Sequence, residues 1–485
     1  MFGFKKRKQT RIDPAFGGAG RGRLRGWVVS GSGPNTNIVN SVGELRRRSR
    51  DLSRNFPYMN AAYATVASNI VGPGINIKPR HDDCEVCNKL RELWDDWTQD
   101  CTIDGTDSLN GLLTLAVRER WEAGECFIRF IPVKEGVVPL KLQIIPADQC
   151  KLDENDTNSD GGKTVGGIRF DAMGRIISYT FYKENPTESV ASRDTYSTID
   201  IPAEQICHYF RPLLAGQVRG VPEAFSALVK SREMLEYDEA ELTRKKIAAC
   251  YSGFITTPNP DGALNADDED EDAGIGEAVA SIEPGTISVL APGEDIKFNG
   301  PAESGSSYEP FMNQNLRQIA AAIGLTYEEF SNDMSKANFS SIRAGLNITQ
   351  RKCRQEQERL VHQVLRKVWR EFVKTAVLSG ALDVSPREYN EHPEHFLRAT
   401  FQTPGWAYVN PQQEVAAQKE KVLCGFASRS QIISENGGDA AEVDRQVADD
   451  ANRAESLGLV YTTDPTNGKG APITNAEEAN ETTIE

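Results

Sequence analysis

The clearest hydrophobic pattern in the chain lies between residues 312 and 324. Its apolar residues follow one another in steps of four, three, one and three, which places them on one side of a helix; they are Met312, Leu316, Ile319, Ala320 and Ile323. Gly324 comes where a residue in the left-handed conformation would end the helix. The pattern therefore predicts an amphipathic helix, and its polar positions are Asn313, Gln314, Arg317 and Gln318.

A polar segment and a second, much longer helical pattern follow. The segment SNDMSKANFSS contains Ser, Asn and Asp, whose side chains bond to their own backbone in loops. Ser340 or Ser341 is expected to cap the next helix, because either hydroxyl can accept from an amide of the first turn. Apolar residues then recur at helical spacing from Ile342 toward Ser379 and Gly380. At 1.5 Å per residue this helix would span roughly 55 Å.

Shorter helices are predicted between residues 41 and 124. Ser41 and Glu44 have the spacing of a capping box, and Pro57 suits the first turn of the next helix, which Gly72 would end. Further helices are indicated by apolar residues at helical spacing and by residues that suit helix ends: Val86, Leu90, Leu93, Trp94, Trp97, Ser108 and Gly124. We expect the two tryptophans to lie in the core.

From Cys126 to Phe210 the pattern changes to short strands, namely CFIRFI, LKLQII, GIRF, RIISYTFY and ICHYF. The residues DAMG between the third and fourth runs predict a hairpin loop. Because a block of helices precedes a block of strands, the pattern favours the α+β class over a parallel α/β sheet.

The remaining segments alternate between helical patterns and polar stretches. Pro222 is expected to begin a helix that runs to about residue 250, and residues 251–305 contain two short apolar runs, GFITT and TISVL. Residues 411–457 predict more amphipathic helix, and residues 458–485 predict a disordered tail. Residues 1–40 are basic and rich in glycine, which indicates a flexible arm, either simply solvated or in contact with nucleic acid or scaffold during assembly.

Composition limits the classes of function. The 485 residues are 39% hydrophobic and 26% charged, enough for several folded domains. No apolar run approaches the roughly 18 residues of a membrane span, so no membrane partner is expected. The nine scattered cysteines suit reduced thiols. The formal net charge of −15 argues against a protein that grips DNA, because tight binding comes mainly from Lys and Arg on phosphates. It is compatible with a protein through which DNA slides.

The sequence contains only incomplete versions of the motifs for catalysis and cofactor binding. GGKT at residues 161–164 lacks the earlier glycine of a phosphate loop, since Thr157 stands there. Gly17, Gly18, Gly20 and Gly22 follow no strand, which removes a dinucleotide fingerprint. No nucleophile motif is recognisable, so we predict no enzymatic activity, no catalytic residue and no cofactor.

Two groups of possible zinc ligands were weighed and set aside. His81, Cys84, Cys87 and Cys101 lack a second paired spacing, and free or buried thiols are favoured. His392 and His395 are separated by Pro393, which disfavours the single helical face of a zinc-protease site. The prediction is therefore that the chain binds no metal. The acidic run Asp267, Asp268, Glu269, Asp270, Glu271 and Asp272 is expected to be a solvated loop, in preference to a metal site or a peptide mimic.

Several of these segments resemble the portal proteins of lambda-type tailed bacteriophages. The longest is LRQIAAAIGLTYEEFSNDMSKANFSSIRAGL, residues 316–346. The others, in the same order as in that family, are LWDDWTQDCTIDG, AGECFIRF, GIRFDAMGRIISYTFY, ICHYFRPLLAGQVRGVP and PGWAYVNPQQEVAA. The resemblance covers most of the chain, with one small departure at Asn410, where an acidic residue is expected.

The resemblance implies a portal fold. In that fold, residues 41–221 form a wing, 222–250 and 306–324 the two stem helices, and 251–305 the clip. Residues 325–410 supply a tunnel loop, a long helix and more wing, and residues 411–457 the crown. The loop residues that would face DNA are Asn332, Asp333, Ser335, Lys336 and Asn338. The polar stem residues Asn313, Gln314, Arg317 and Gln318 would line the channel.

The function implied is that of a ring, by resemblance a dodecamer, at one capsid vertex. Double-stranded DNA would pass through it without sequence specificity during packaging and ejection. The partners implied are the terminase, the major capsid and scaffold proteins, and the head-completion and tail connector proteins. Assembly would occur in the host cytoplasm and the product would reside in the virion. Two alternatives remain: a terminase-like enzyme acting on DNA, disfavoured by the missing phosphate loop, and a structural protein without a channel.

Overall fold

The computed structural model describes residues 30–157, 161–188, 196–250, 254–256, 295–297, 308–335, 338–406, 411–438 and 440–459. Helices and antiparallel strands both occur in this part of the chain, which confirms the α+β class. Several predicted features lie outside the described residues: the first 29 residues of the basic arm, the run TISVL, the acidic run from Asp267 to Asp272, Lys336 and the tail after Leu459.

The first helices are α1 (Pro34–Asn55), α2 (Pro57–Val71), α3 (Cys84–Gln99) and α4 (Leu109–Ala123). The start predicted for α1 is wrong, because Pro34 occupies its first turn and Ser41 lies inside it. Glu44 instead forms ion pairs with arginines on the next turn. The predicted ends of α4 are confirmed: the Ser108 side chain accepts from the Gly111 amide, and Gly124 ends the helix with φ +95°.

The strands are β1 (Asn76–Pro79), β2 (Glu125–Pro132), β3 (Leu140–Ile145), β4 (Asp156–Thr157), β5 (Lys163–Val165), β6 (Ile168–Phe170), β7 (Ile176–Tyr182), β8 (Thr198–Pro202), β9 (Ile206–Phe210), β10 (Phe254–Thr256), β11 (Asp295–Lys297) and β12 (Ala399–Gln402). One antiparallel sheet has the order β3-β2-β9, and another has the order β4-β5-β6-β7-β8. The five strand runs from Cys126 to Phe210 and the DAMG hairpin between β6 and β7 are confirmed.

The three-stranded sheet β3-β2-β9 divides the core into two clusters. Strand β2 alternates its side chains, so that Cys126, Ile128 and Phe130 join a large apolar cluster with the helices. Phe127 joins a second cluster with Tyr179 and other residues of the five-stranded sheet. Strand β2 therefore links the helical layer to the second sheet through its two faces.

The second half begins with α5 (Leu228–Cys250), α6 (Tyr308–Ile323) and α7 (Tyr327–Ser331). The start predicted for α5 is wrong: residues 223–227 form turns after Pro222, and the helix begins at Leu228. The predicted run GFITT contains β10, which pairs with β11 at Asp295–Lys297, a strand that the sequence analysis did not predict.

The long helix is present in three consecutive pieces: α8 (Phe339–Leu360), a π-helical turn (Val361–Leu365) and α9 (Arg366–Leu378). It ends at Ser379 before Gly380, whose φ is +76°, as predicted. The π-helical turn was not predicted. It lies against β9, where the Phe210 amide donates to Gln363 Oε1 at 3.0 Å. Trp94 packs on Trp369 of α9 with ring centres 5.3 Å apart, which confirms that this tryptophan is a core residue.

The remaining helices are α10 (Pro386–Glu391), α11 (Pro393–Leu397), α12 (Pro411–Leu423), α13 (Arg429–Glu435) and α14 (Ala440–Leu457). The last three confirm the helical character predicted for residues 411–457. Strand β12 pairs antiparallel with β1, and this pairing joins the segment after α11 to the segment between α2 and α3. Among the described residues, no helix has both the length and the apolar character needed to cross a membrane.

A buried ionic network stabilises the segment that leads into α5. Glu125 at the start of β2 is fully buried and accepts from Arg46 of α1, from Arg219 and from the Gly220 amide, and it lies 3.0 Å from His208 Nε2. Burial alone would raise the pKa of Glu125, but Arg219 and Arg46 outweigh it and hold that pKa well below its ordinary value. The network thereby joins α1, β2 and β9 to residues 219 and 220.

A second buried cation connects the long helix to the same segment. Arg120 of α4 is 1% exposed, and its guanidinium lies 3.1 Å from Glu223 and 3.4 Å from Glu356 of α8. Gln357 of α8 also donates to the carbonyl oxygens of Ile70 and Pro404. These contacts hold α8 against α2 and α4, and they hold the segment before α5 against α4.

Candidate functional site

Helix α6 has the amphipathic form that its sequence predicts. Leu316, Ile319, Ala320 and Ile323 are buried. Gly324 follows with φ +93°, and the amides of Gly324 and Leu325 both donate to the Ala320 carbonyl. The Ala320 carbonyl near the end of the helix is thereby satisfied by two amides. The stop at Gly324 is therefore confirmed.

A short helix that the sequence analysis missed lies between α6 and the polar loop. Helix α7 begins with a capping box, in which Thr326 and Glu329 satisfy each other's backbone amides. Thr349 of α8 donates to the Glu329 carboxylate at 2.7 Å, so the cap also contacts the long helix. The spacing of Thr326 and Glu329 in TYEEF is the sequence signal for this helix.

Tyr327 of α7 brings together three of the predicted site residues. Its hydroxyl lies 3.0 Å from Asn313 Oδ1 and 3.1 Å from Asp333 Oδ2. The Arg317 guanidinium lies 4.9 Å from the centre of its ring. Burial and the hydrogen bond to Asp333 raise the pKa of Tyr327 above its ordinary value. Asn313, Arg317 and Asp333 are thus gathered around one aromatic side chain, which connects α6 to the loop.

The opposite flank of α6 contacts α5. Gln318 accepts from Lys230 of α5. Tyr237 of α5 packs on Phe311 and on Tyr308, with ring centres 5.0 and 6.1 Å apart. At about 100° per residue, the positions that contact Tyr327 and those that contact α5 lie on different sides of the helix. Gln314 lies between them and is exposed. The four predicted stem residues therefore lie within about 140° of the helix circumference, between the contacts to Tyr327 and those to α5.

The polar loop is organised by its own side chains. Asn332 ends α7 with φ +56° and is exposed. Asp333 Oδ1 accepts from the exposed Ser335 amide at 3.0 Å. Asn338 caps α8, accepting from the Ser341 amide at 2.8 Å, so the predicted cap at Ser340 or Ser341 is wrong. An Asn side chain can cap as well as Ser, and Asn338 stands at the correct distance from Ser341.

The motifs rejected for catalysis have structural roles in the described residues. Lys163 and Thr164 of GGKT belong to β5, an extended strand. Cys87 accepts from the His81 amide and donates toward the Pro79 carbonyl. Cys101 is buried, and burial raises the pKa of its thiol to about 12, which disfavours the thiolate that a metal requires. Among the described residues, the possible zinc ligands His81, Cys84, Cys87 and Cys101 do not form a cluster able to hold a metal. A different group, His392, Glu394 and His395, does form such a cluster.

Comparison with known proteins gives this arrangement a family. The family model of phage portal proteins, lambda family, matches residues 20–357. The probable portal protein of Halomonas phage phiHAP-1 is 24% identical over 470 residues, covering 94% of this chain and 87% of that protein. The portal proteins of Escherichia phages N15 and lambda are 22% and 21% identical over 366 residues, each alignment covering 68% of both chains.

Solved structures also resemble the chain. A chain from the neck of a native gene transfer agent particle, computed with C12 symmetry, is 15% identical, with a TM-score of 0.43 over 81% of this chain and 94% of that one. A likeness at this level carries no further conclusion.

The family match spans more than half of the 485 residues. The chain therefore belongs to the lambda family of phage portal proteins, which confirms the resemblance found in its sequence. As a portal protein it is a component of a phage particle.

Proposed function

We propose that copies of this chain close into a ring, a dodecamer, at a single capsid vertex and that double-stranded DNA passes through the central opening. Membership of the portal family carries this proposal. A heterologous interface repeated around a closed axis generates an opening that one subunit does not have. In this account residues 41–221 form the wing, α5 and α6 the stem, residues 251–305 the clip and α12 to α14 the crown.

The channel surface of the stem is the exposed side of α6 that carries Gln314. Gln314, Arg317 and Gln318 are all exposed, and Gln314 lies between the two contact sides of the helix. Its amide is uncharged and would pass phosphates without holding them. Arg317 lies beside this position, but its guanidinium stacks on Tyr327. A ring that held about 6 to 10 phosphates tightly would bind DNA with an affinity that salt changes by about 10³ to 10⁵, and such binding would oppose sliding.

The tunnel loop is the second surface that we assign to DNA. Asn332 and Ser335 are exposed on it, and Lys336 follows in sequence. Asp333 and Asn338 support the loop: Asp333 bonds to Tyr327 and the Ser335 amide, and Asn338 caps α8. Their role is to hold the loop in shape, and Asn332, Ser335 and Lys336 make the transient contacts.

The partners follow from the same account. The clip, with its acidic run at residues 267–272, docks the terminase during packaging and the head-completion and tail connector proteins afterwards. The outer surfaces of the ring meet the major capsid and scaffold proteins. The energy of packaging comes from the terminase, so the portal needs no catalytic residue and no cofactor. A terminase-like enzyme is the alternative, and the strand conformation of Lys163 and Thr164 disfavours it.

Charge variants at Gln314 test the channel assignment. Gln314→Lys places one new cation per subunit on the proposed lumen, and we expect DNA packaging to slow, with recovery as the salt concentration rises. Gln314→Ala is the matched control and should package normally. Electron micrographs must first show that both variants form rings. Normal packaging by Gln314→Lys at low salt would contradict the assignment of this face of α6 to the channel.

A further inference from the structure

Three side chains with metal-binding atoms meet at the turn between α10 and α11. His392 Nδ1 lies 3.5 Å from Glu394 Oε1, and His395 Nε2 lies 3.8 Å from the same oxygen. One ligand atom from each of the three residues lies within 4.8 Å of the other two. The imidazole rings stack with their centres 5.3 Å apart. All three side chains are exposed, so an ion can reach them directly from solvent.

The backbone holds these residues together. Pro393 cannot continue α10, because proline lacks an amide and clashes with the preceding turn. His392 therefore ends α10, with its amide donating to the Glu388 carbonyl, and it also precedes α11, where the His395 amide donates to the His392 carbonyl at 3.2 Å. In the sequence, Pro393 disfavours a single helical face for the two histidines. The structure brings the two histidines together across a junction of two helices.

Buried aromatic residues anchor both sides of this turn. Tyr389 of α10 and Phe396 of α11 are buried in the main core, with ring centres 6.0 Å apart. The ring of His81 stacks on Phe396 at 5.0 Å. The turn is thus supported from below by packed side chains, while its three polar side chains face solvent. Such support lowers the ordering cost of binding, because the backbone is already in place.

Two of the three distances between ligand atoms are close to those around a tetrahedral ion. With bonds of about 2.0–2.1 Å to nitrogen and oxygen, two ligands of a tetrahedral zinc ion stand about 3.3 Å apart. The two contacts to Glu394 are within half an ångström of that value, and rotation of exposed side chains can close the third. Two imidazoles and one carboxylate are a donor set typical of zinc and of neighbouring first-row transition metals, whereas calcium and magnesium prefer oxygen.

We propose that His392, Glu394 and His395 form a zinc-binding site on the surface of the portal subunit. Three protein ligands leave the fourth position of the ion to water or to a ligand from another molecule. The ion would tie the first turn of α11 to the end of α10. This site is separate from the proposed channel surface of α6 and does not depend on it.

Calorimetric titration of the full chain with zinc chloride tests the site. We expect one ion per chain, with binding weakened on the order of tenfold or more in His392→Ala and in His395→Ala. His362→Ala removes another exposed histidine and should bind as the parent does. The substituted residues are exposed, so ring images and circular dichroism should be unchanged. Zinc should also slow hydrogen exchange at the amides of His392 and of residues 394–397 in the parent and in His362→Ala, and should not do so in His392→Ala or His395→Ala.

Cobalt absorption separates this site from the thiols near His81. Coordination by nitrogen and oxygen gives no sulfur charge-transfer band, so none is expected, and a Cys84→Ser, Cys87→Ser double variant should bind as the parent does. Equal binding by the parent, His392→Ala and His395→Ala would show an adventitious ion only and would overturn the proposal. Loss of binding in the cysteine variant would overturn it as well.

Discussion

The hydroxyl of Tyr327 is expected to hold the polar loop against α6, and Tyr327→Phe removes only that hydroxyl. It lies near Asn313 and Asp333 and has one hydrogen, so it donates to one of them at a time. A hydrogen bond to a charged group contributes about 1.5–3 kcal/mol. Because Tyr327 is only half-buried, water would replace part of it, and we expect a loss of about 1 kcal/mol. That corresponds to roughly a fivefold rise in the open loop population.

Native-state hydrogen exchange measures this change directly. The Asp333 and Ser335 amides donate to Ser331 Oγ and Asp333 Oδ1 within the loop, so opening of the loop exposes both. Their exchange should accelerate about fivefold in Tyr327→Phe. Tyr196→Phe, at a tyrosine that is 76% exposed, is the matched control and should leave them unchanged. Unchanged exchange in Tyr327→Phe, or the same acceleration in both variants, would refute the reasoning.

Three further predictions concern the scaffold. Glu125→Gln leaves Arg46 and Arg219 buried without their carboxylate, so the free energy of unfolding in urea should fall by about 3–5 kcal/mol. The exposed Glu92→Gln, which weakens a surface ion pair, should lower it by no more than about 1 kcal/mol. Burial lowers the pKa of His208, so below about pH 6.5 the unfolded chain binds more protons than the folded chain does. The free energy of unfolding of the parent should therefore decrease as the pH falls through this range, and it should decrease less in His208→Gln. Denaturation curves recorded at a series of pH values measure both. Asn338→Ala removes the cap of α8 and should lower the free energy of unfolding by about 1 kcal/mol. A lower midpoint of thermal unfolding would show this loss.

Local signals in the sequence predicted much of the fold. Ser108 and Gly124 bound α4, and Gly324 ends α6, because caps depend on a few neighbouring residues. The same kind of signal is present at α7 and was missed, because Thr326 and Glu329 form a capping box just before the predicted loop. It was also misread at α1, where a proline at residue 34 outweighs the apparent box at residue 41.

Contacts between distant parts of the chain could not be predicted in this way. Strand β1 pairs with β12 more than 300 residues later, and neither strand has a pattern long enough to show its partner. Glu125 meets Arg46 and Arg219 only in the folded core. The stem residues were predicted from the polar side of one helix. Their contacts with Tyr327 and with α5 come from neighbouring elements, which the pattern of a single helix does not contain.

Axial electron micrographs of the purified, assembled protein test the central claim most directly. The account predicts closed particles with twelvefold symmetry and an axial opening wide enough for a DNA duplex. Monomers, filaments, or rings whose opening is too narrow to admit a duplex would contradict it.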